Sequence, residues 1–262
     1  MASDQSSGAK MAPEGTRAAA FPSSVVSDRT PENLKAMAAD AGLTEDLALS
    51  LLRRAEVPAD ALEQLGKNGS ALKSRKVKLG LVEHPRTPRH ISLPLVRQLY
   101  TFDLMHVALT PVVPADIKMA ADEALCHRME TISAGEKLTL AHRASGRVAG
   151  ELLLDPEARV VHAALENSRP TEAAIVRALT RHEGSAAFVE AVCHHRQWSL
   201  RREVRVALLR NEKTPMARAV EFARTLPAGQ VREILQGSRL PGNVKELLLK
   251  EVERRGAGER RG

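Results

Sequence analysis

The chain has 262 residues, 43% of them apolar, yet it contains only four Phe, one Trp and one Tyr. An interior of this kind must be built from Ala, Leu and Val, which disfavours sandwiches and barrels, whose strands lean on aromatic and β-branched side chains. The formal net charge of +7 conceals a split: residues 1–70 hold 7 basic and 10 acidic side chains, and residues 71–262 hold 32 and 22. A basic body favours anionic partners such as nucleic acid, phospholipid or an acidic protein face. Cys126 and Cys193 are the only cysteines, too few for a disulfide framework, so a reducing compartment fits best. No run approaches the roughly 18 consecutive apolar residues of a membrane span, and the expectation is a cytoplasmic protein.

Residues 1–28 are rich in Ser, Ala, Gly and Pro without helical period, and read as a disordered leader in which Met11 is an alternative start. Residues 29–70 read as N-terminal helices capping the array that follows. Thr30-Pro31-Glu32 opens the first, with a capping hydroxyl, a proline that needs no amide partner and an acid at the positive helix end. Gly42 stops it. Thr44-Glu45-Asp46 opens a second, with Leu47, Leu51 and Leu52 on one side, and Pro58 opens a third that ends near Gly66.

From 71 to 253 the dominant signal is internal repetition. The segments Val77 to Pro88, Val160 to Thr171 and Val204 to Pro215 align without gaps on His84, Asn167 and Asn211. Seven residues before each anchor stands Val; four before stands Gly80, Ala163 or Ala207; and aliphatic or small residues fill the next two positions. That spacing is one buried helical stripe. His or Asn suits a helix end because it tolerates left-handed backbone and bonds locally. A basic residue and a Thr or Pro follow, and Thr87-Pro88 and Thr214-Pro215 read as cap plus first turn of a second helix. Its apolar positions are Leu93 and Val96, Val176 and Leu179, Val220 and Ala223.

The unit is thus two antiparallel helices. The anchors lie 83 and 44 residues apart, which calls for a diverged copy between the first two, at Ala121, Ala124, Leu125 and Arg128. Ser133-Ala-Gly-Glu136 has the capping-box pattern, and Gly146, Pro227 and Pro241 mark further breaks. Residues 254–262 are charged and glycine-rich and read as a disordered basic tail. No segment alternates as a strand does, so the fold class is all-α, with about ten to twelve helices.

The unit of helix, Asn/His, basic residue, Thr-Pro and helix resembles bacterial HEAT-like α-solenoids and leucine-rich-repeat-variant proteins over roughly residues 44–253. The resemblance implies an α-solenoid of irregular HEAT-like antiparallel helix pairs, with extended surfaces of the kind used for protein–protein contact. Some HEAT-like proteins are DNA glycosylases; this chain departs from them, having a single Trp and no identifiable partner Asp.

Chemistry-bearing motifs are sparse. Cys193-His194-His195 and Cys126-His127 combine thiol and imidazole, but neighbours on a helix point about 100° apart, which is poor geometry for zinc. No nucleophile elbow, paired carboxylates or phosphate-cradling glycine loop appears. No cofactor, metal or catalytic residue is therefore expected. His162 reads as solvated, and Trp198 as filling a gap between units. The stronger hint is charge: Lys73, Arg75, Lys76, Lys78, Arg86 and Arg89 in one stretch, and Arg196, Arg201, Arg202 and Arg205 in another. On the later helix Leu200, Val204, Ala207 and Leu208 take the core stripe, which leaves Arg201, Arg202 and Arg205 on exposed positions able to meet successive phosphates or carboxylates. The expectation is a monomeric, non-catalytic protein–protein interaction scaffold. The alternative is an anion-binding module that holds nucleic acid or an acidic protein surface through these clusters.

Overall fold

A computed structural model of the chain describes residues 30–181 and 184–259. The leader expected at 1–28 lies outside the described residues. Within them the fold is all-helical, with sixteen α-helices, two single 3-10 turns at Ala71–Lys73 and Trp198–Leu200, and no strand. In chain order the helices are α1 (Pro31–Ala39), α2 (Glu45–Leu52), α3 (Ala59–Lys67), α4 (Arg75–Glu83), α5 (Arg89–Val96), α6 (Thr101–Leu109), α7 (Ala115–His127) and α8 (Ala134–Arg143). They continue as α9 (Gly146–Leu152), α10 (Ala158–Glu166), α11 (Glu172–Thr180), α12 (Ala186–His194), α13 (Arg202–Arg210), α14 (Met216–Arg224), α15 (Ala228–Gln236) and α16 (Gly242–Glu259).

The count exceeds the ten to twelve expected, because most of the helices are only seven to ten residues long. Pro58, Pro88, Pro114, Pro215 and Pro227 each occupy the N-cap, with extended backbone. Thr87-Pro88 and Thr214-Pro215 are therefore not cap plus first turn. Proline itself is the cap, and the Thr214 hydroxyl turns back to donate to the Leu208 carbonyl at 2.6 Å. Elsewhere hydroxyls cap as expected: Thr30 opens α1 ahead of Pro31, Thr44 opens α2, and Ser133 forms a full capping box with Glu136 on α8. Helix α16 runs on through Glu259, so residues 254–259 of the expected tail are helical and only 260–262 lie outside the described residues.

The aligned stripe is buried in all three copies: Val77, Leu81 and Val82; Val160, Ala163, Ala164 and Leu165; Val204, Ala207, Leu208 and Leu209. Ala121 and Leu125 are fully buried at the diverged copy. Three leucines depart from expectation. Leu47 is 49% exposed while Ala48 and Leu51 take the core, Leu93 is replaced by Ser92 and Leu95, and Leu200 is 67% exposed while Trp198 fills the interior. Each lies in a short element of three to eight residues, where a shift of a few tens of degrees decides which side faces inward.

Most helices pack against the next but one in chain order, in two interrupted rows, since α3 with α5, α6 with α8 and α12 with α14 are not closely packed. Odd-numbered helices lie against odd ones, in the pairs α1 with α3, α5 with α7, α7 with α9, α9 with α11, α11 with α13 and α13 with α15. Even ones do the same, as α2 with α4, α4 with α6, α8 with α10, α10 with α12 and α14 with α16. Successive helices such as α6 with α7 and α8 with α9 join the rows, and every closely packed pair lies no more than two apart in chain order. One buried apolar cluster extends along the rows from Ala38 to Val252.

The anchor residues explain the stacking. Asn68 Nδ2 donates to the carbonyls of Ala38 (3.1 Å) and Asp40 (2.8 Å), and its Oδ1 accepts from the amides of Ser70 and Ala71. His84 Nε2 meets the Arg54 carbonyl at 3.0 Å while Nδ1 accepts from the Arg86 amide. Asn167 Nδ2 donates to Ala141 (2.8 Å) and Ala144 (3.2 Å), and Asn211 Nδ2 to Leu179 (2.7 Å). At the diverged copy the same task falls to Arg128, which donates to the carbonyls of Leu99 and Arg97.

In each case the end of one helix satisfies the orphan carbonyls that end the helix two before it. Those two helices must run parallel with their C-termini level. The backbone at these positions is extended, with φ/ψ of −71/123 at His84, −67/130 at Asn167 and −89/130 at Asn211. The left-handed conformation expected there is absent. The anchors do bond locally as expected, each accepting the amide two residues on, and the same side chain also reaches the neighbouring unit.

Candidate functional site

The first basic cluster is mostly occupied with the fold. Arg75 forms a fork onto Asp103, Nε to Oδ2 at 2.7 Å and Nη2 to Oδ1 at 2.6 Å, and lies over the Tyr100 ring. Asp103 is buried, and this bond holds the Arg75 proton more firmly than usual. Lys76 pairs with Glu45 at 3.1 Å, Arg89 with Asp116 at 2.9 Å, and Lys78 Nζ donates to Gln98 at 2.9 Å. Arg86 donates to the Glu56 carbonyl. Lys73 is exposed and makes no hydrogen bond or ion pair with the described residues.

The second cluster divides in the same way. Arg196 and Arg201 are exposed without such a partner among the described residues, and Arg202 pairs with Glu203 at 3.3 Å. Arg205 is not on an exposed position as expected. It is half-buried, donates from Nε to the Ser199 carbonyl at 2.7 Å and lies over the Phe222 ring, because Leu200 gives up the core position and the 3-10 turn brings Ser199 beneath the guanidinium.

The cysteine–histidine motifs are taken up by packing. Cys193 is buried, and burial pushes its thiol up to about 12; Cys126, half-buried, is pushed up to about 11 for the same reason. His195 Nδ1 accepts from the amides of Gln197 and Trp198, so the ring carries its proton on Nε2, which faces Glu166 at 3.4 Å. Protonating Nδ1 would set a third N–H against two others, and burial likewise holds the imidazole below its usual range. His195 thus repeats the role of Asn68, which accepts two amides at the same offsets. Sixteen residues further on from each come His84 and Asn211, so the two modules share one register. Trp198 Nε1 completes the later one by donating to the Leu165 carbonyl at 3.2 Å. His162 is exposed, and among the described residues no three His, Cys, Asp or Glu side chains gather as metal ligands.

Two grooves open between parallel neighbours of a row. One, of about 560 Å³, lies between α10 and α12, with His162, Glu166, Glu190, His194 and His195 on its walls. The other, of about 540 Å³, lies between α9 and α11 and was not legible as a site in the sequence. Gly146 and Gly150 floor it from α9, Ala174 and Ala178 from α11. Arg147 and Glu151 rise on one rim, Arg177 and Arg181 on the other, and Arg181 forks onto Glu151 at 2.9 and 3.3 Å. Apart from Thr171, the lining residues fall in pairs four apart along α9 and along α11 with its C-cap, the spacing that repeats one helical face. The signal existed as paired small and basic residues at that spacing. Only the stacking of α11 on α9 makes it a groove.

No family model, curated protein or solved structure matches the chain.

Proposed function

We propose that the protein is a non-catalytic interaction scaffold, an α-solenoid of irregular HEAT-like helix pairs that binds another protein along its rows. The observation that supports this most is the pairing of most helices with a next-but-one neighbour, tied at five joints by Asn68, His84, Arg128, Asn167 and Asn211. A stack bonded this way grows along one direction and leaves long faces free, which is the use such arrays are suited to. The two thiols are held protonated by burial and His195 is locked by backbone amides, so these three side chains serve the interior.

Capture on the immobilised full-length chain, followed by reconstitution of a saturable complex from purified components, is the test. A defined complex of one chain with its partner is expected. Turnover of a substrate by the purified chain in the absence of any partner would contradict the reading. The second reading, recognition of an anion, loses support at the two sequence clusters, where most members already have partners. It gains support from the arginines of the α9–α11 groove.

A further inference from the structure

We propose that the groove between α9 and α11 docks an acidic peptide segment of the protein partner, its carboxylates paired by Arg147 and Arg177; this rests on the scaffold reading. The groove's 540 Å³ lies within the range of ligand sites, and three arginines stand there against one glutamate. Arg181 is committed to Glu151, whereas Arg147 and Arg177 are exposed and make no hydrogen bond or ion pair with the described residues, Arg147 acting on Asp122 only through space. Two forked cations are thus presented on opposite walls of one cleft, a geometry that suits carboxylates approached from both sides.

The floor adds a second argument. A Cβ on Gly146 would come within 2.5 Å of the Arg169 carbonyl oxygen, so packing of the neighbouring loop accounts for that glycine. Packing does not account for Gly150, where a Cβ would meet only the Ala174 methyl at an ordinary 3.6 Å. What the missing side chain does provide is depth, allowing a ligand main chain to approach the helix backbone between the two arginines.

A peptide fits better than a nucleic acid strand. A phosphodiester chain places a charge at every residue and would set one against Glu151, whereas a peptide can place a neutral or basic side chain there. No aromatic residue lines the groove to stack a base.

The test is fluorescence anisotropy on the full-length protein with a fluorescein-labelled glutamate peptide in which Glu alternates with Ser, beside the matching glutamine peptide with Gln for each Glu, and single-stranded DNA of equal charge. Saturable, salt-weakened binding of the glutamate peptide is expected, with little binding of the glutamine one. Arg147→Glu with Arg177→Glu should weaken it at least about tenfold, as loss of two charge-assisted contacts does. Gly150→Leu, which fills the floor without a packing clash at Cβ and favours the helix, should do the same with an unchanged circular dichroism spectrum. Arg201→Glu, on another helix boundary, should leave binding intact.

No peptide binding at low salt, equal binding by all variants, or tighter binding of DNA than peptide would overturn the proposal. The scaffold reading is judged separately by the reconstituted complex. If that complex forms and is indifferent to Arg147→Glu with Arg177→Glu, the groove assignment fails while the scaffold stands.

Discussion

Asn167→Ala removes three hydrogen bonds at once from the joint between α8 and α10. The amide nitrogen donates to the Ala141 and Ala144 carbonyls, and the amide oxygen accepts from Arg169 at 2.9 Å. Asn167 is buried, as are Ala141 and Ala144, so water cannot readily replace the lost donor. A buried hydrogen bond contributes about 1 kcal/mol net, and a carbonyl left without a partner costs about 1–3 kcal/mol. With the Arg169 amide partly accessible to water, the loss comes to about 2–4 kcal/mol. Urea unfolding followed by circular dichroism measures it, with Ser168→Ala, at an exposed neighbour, as the control expected to be silent. A loss under about 0.5 kcal/mol for Asn167→Ala would mean that the inter-unit bonds do not hold the stack, and the reasoning built on the anchors would fail.

Further outcomes follow from the same contacts. Ala207→Asp buries a carboxylate in the stripe of α13 and should cost several kcal/mol by urea unfolding, whereas exposed Arg210→Ala should stay within about 0.5 kcal/mol. Gly146→Ala should destabilise by about 1–3 kcal/mol because its methyl meets backbone, while Gly229→Ala, with open space around it inside α15, should stabilise by about 0.4–1 kcal/mol; thermal melts of both would show opposite signs. Burial pushes the Cys193 thiol up to about 12, so at pH 8 it stays protonated, and iodoacetamide should label it only on unfolding; fast native labelling would refute its placement.

Helix starts were legible at Thr30, Thr44, Pro58 and Ser133 but went unread at Ser74, Pro114 and Ser185, and the core stripe was legible where an anchor fixed its register. Ala121, Leu125 and Arg128 were placed by spacing alone, and Arg128 does perform the anchor's task. The reason for the anchors was not legible. A polar residue after a helix suggests a local turn, which Asn167 makes through the Arg169 amide, but nothing local announces that its amide nitrogen reaches a carbonyl of α8 more than twenty residues earlier. The basic clusters were visible as charge, but their pairing was not, since Asp103 meets Arg75 only through the stacking of α6 on α4. The α9–α11 groove has the same origin: each helix shows half of it, and neither half announces a cavity.

Hydrogen exchange by mass spectrometry on the full-length chain, compared between wild type and Asn211→Ala, tests the two-row stack most directly. Asn211 joins α13 to α11, so the account predicts faster exchange centred on α11 and α13, fading along the rows, with α1 to α4 unchanged. Equal loss of protection in every helix, as in a single core that opens all at once, would contradict it.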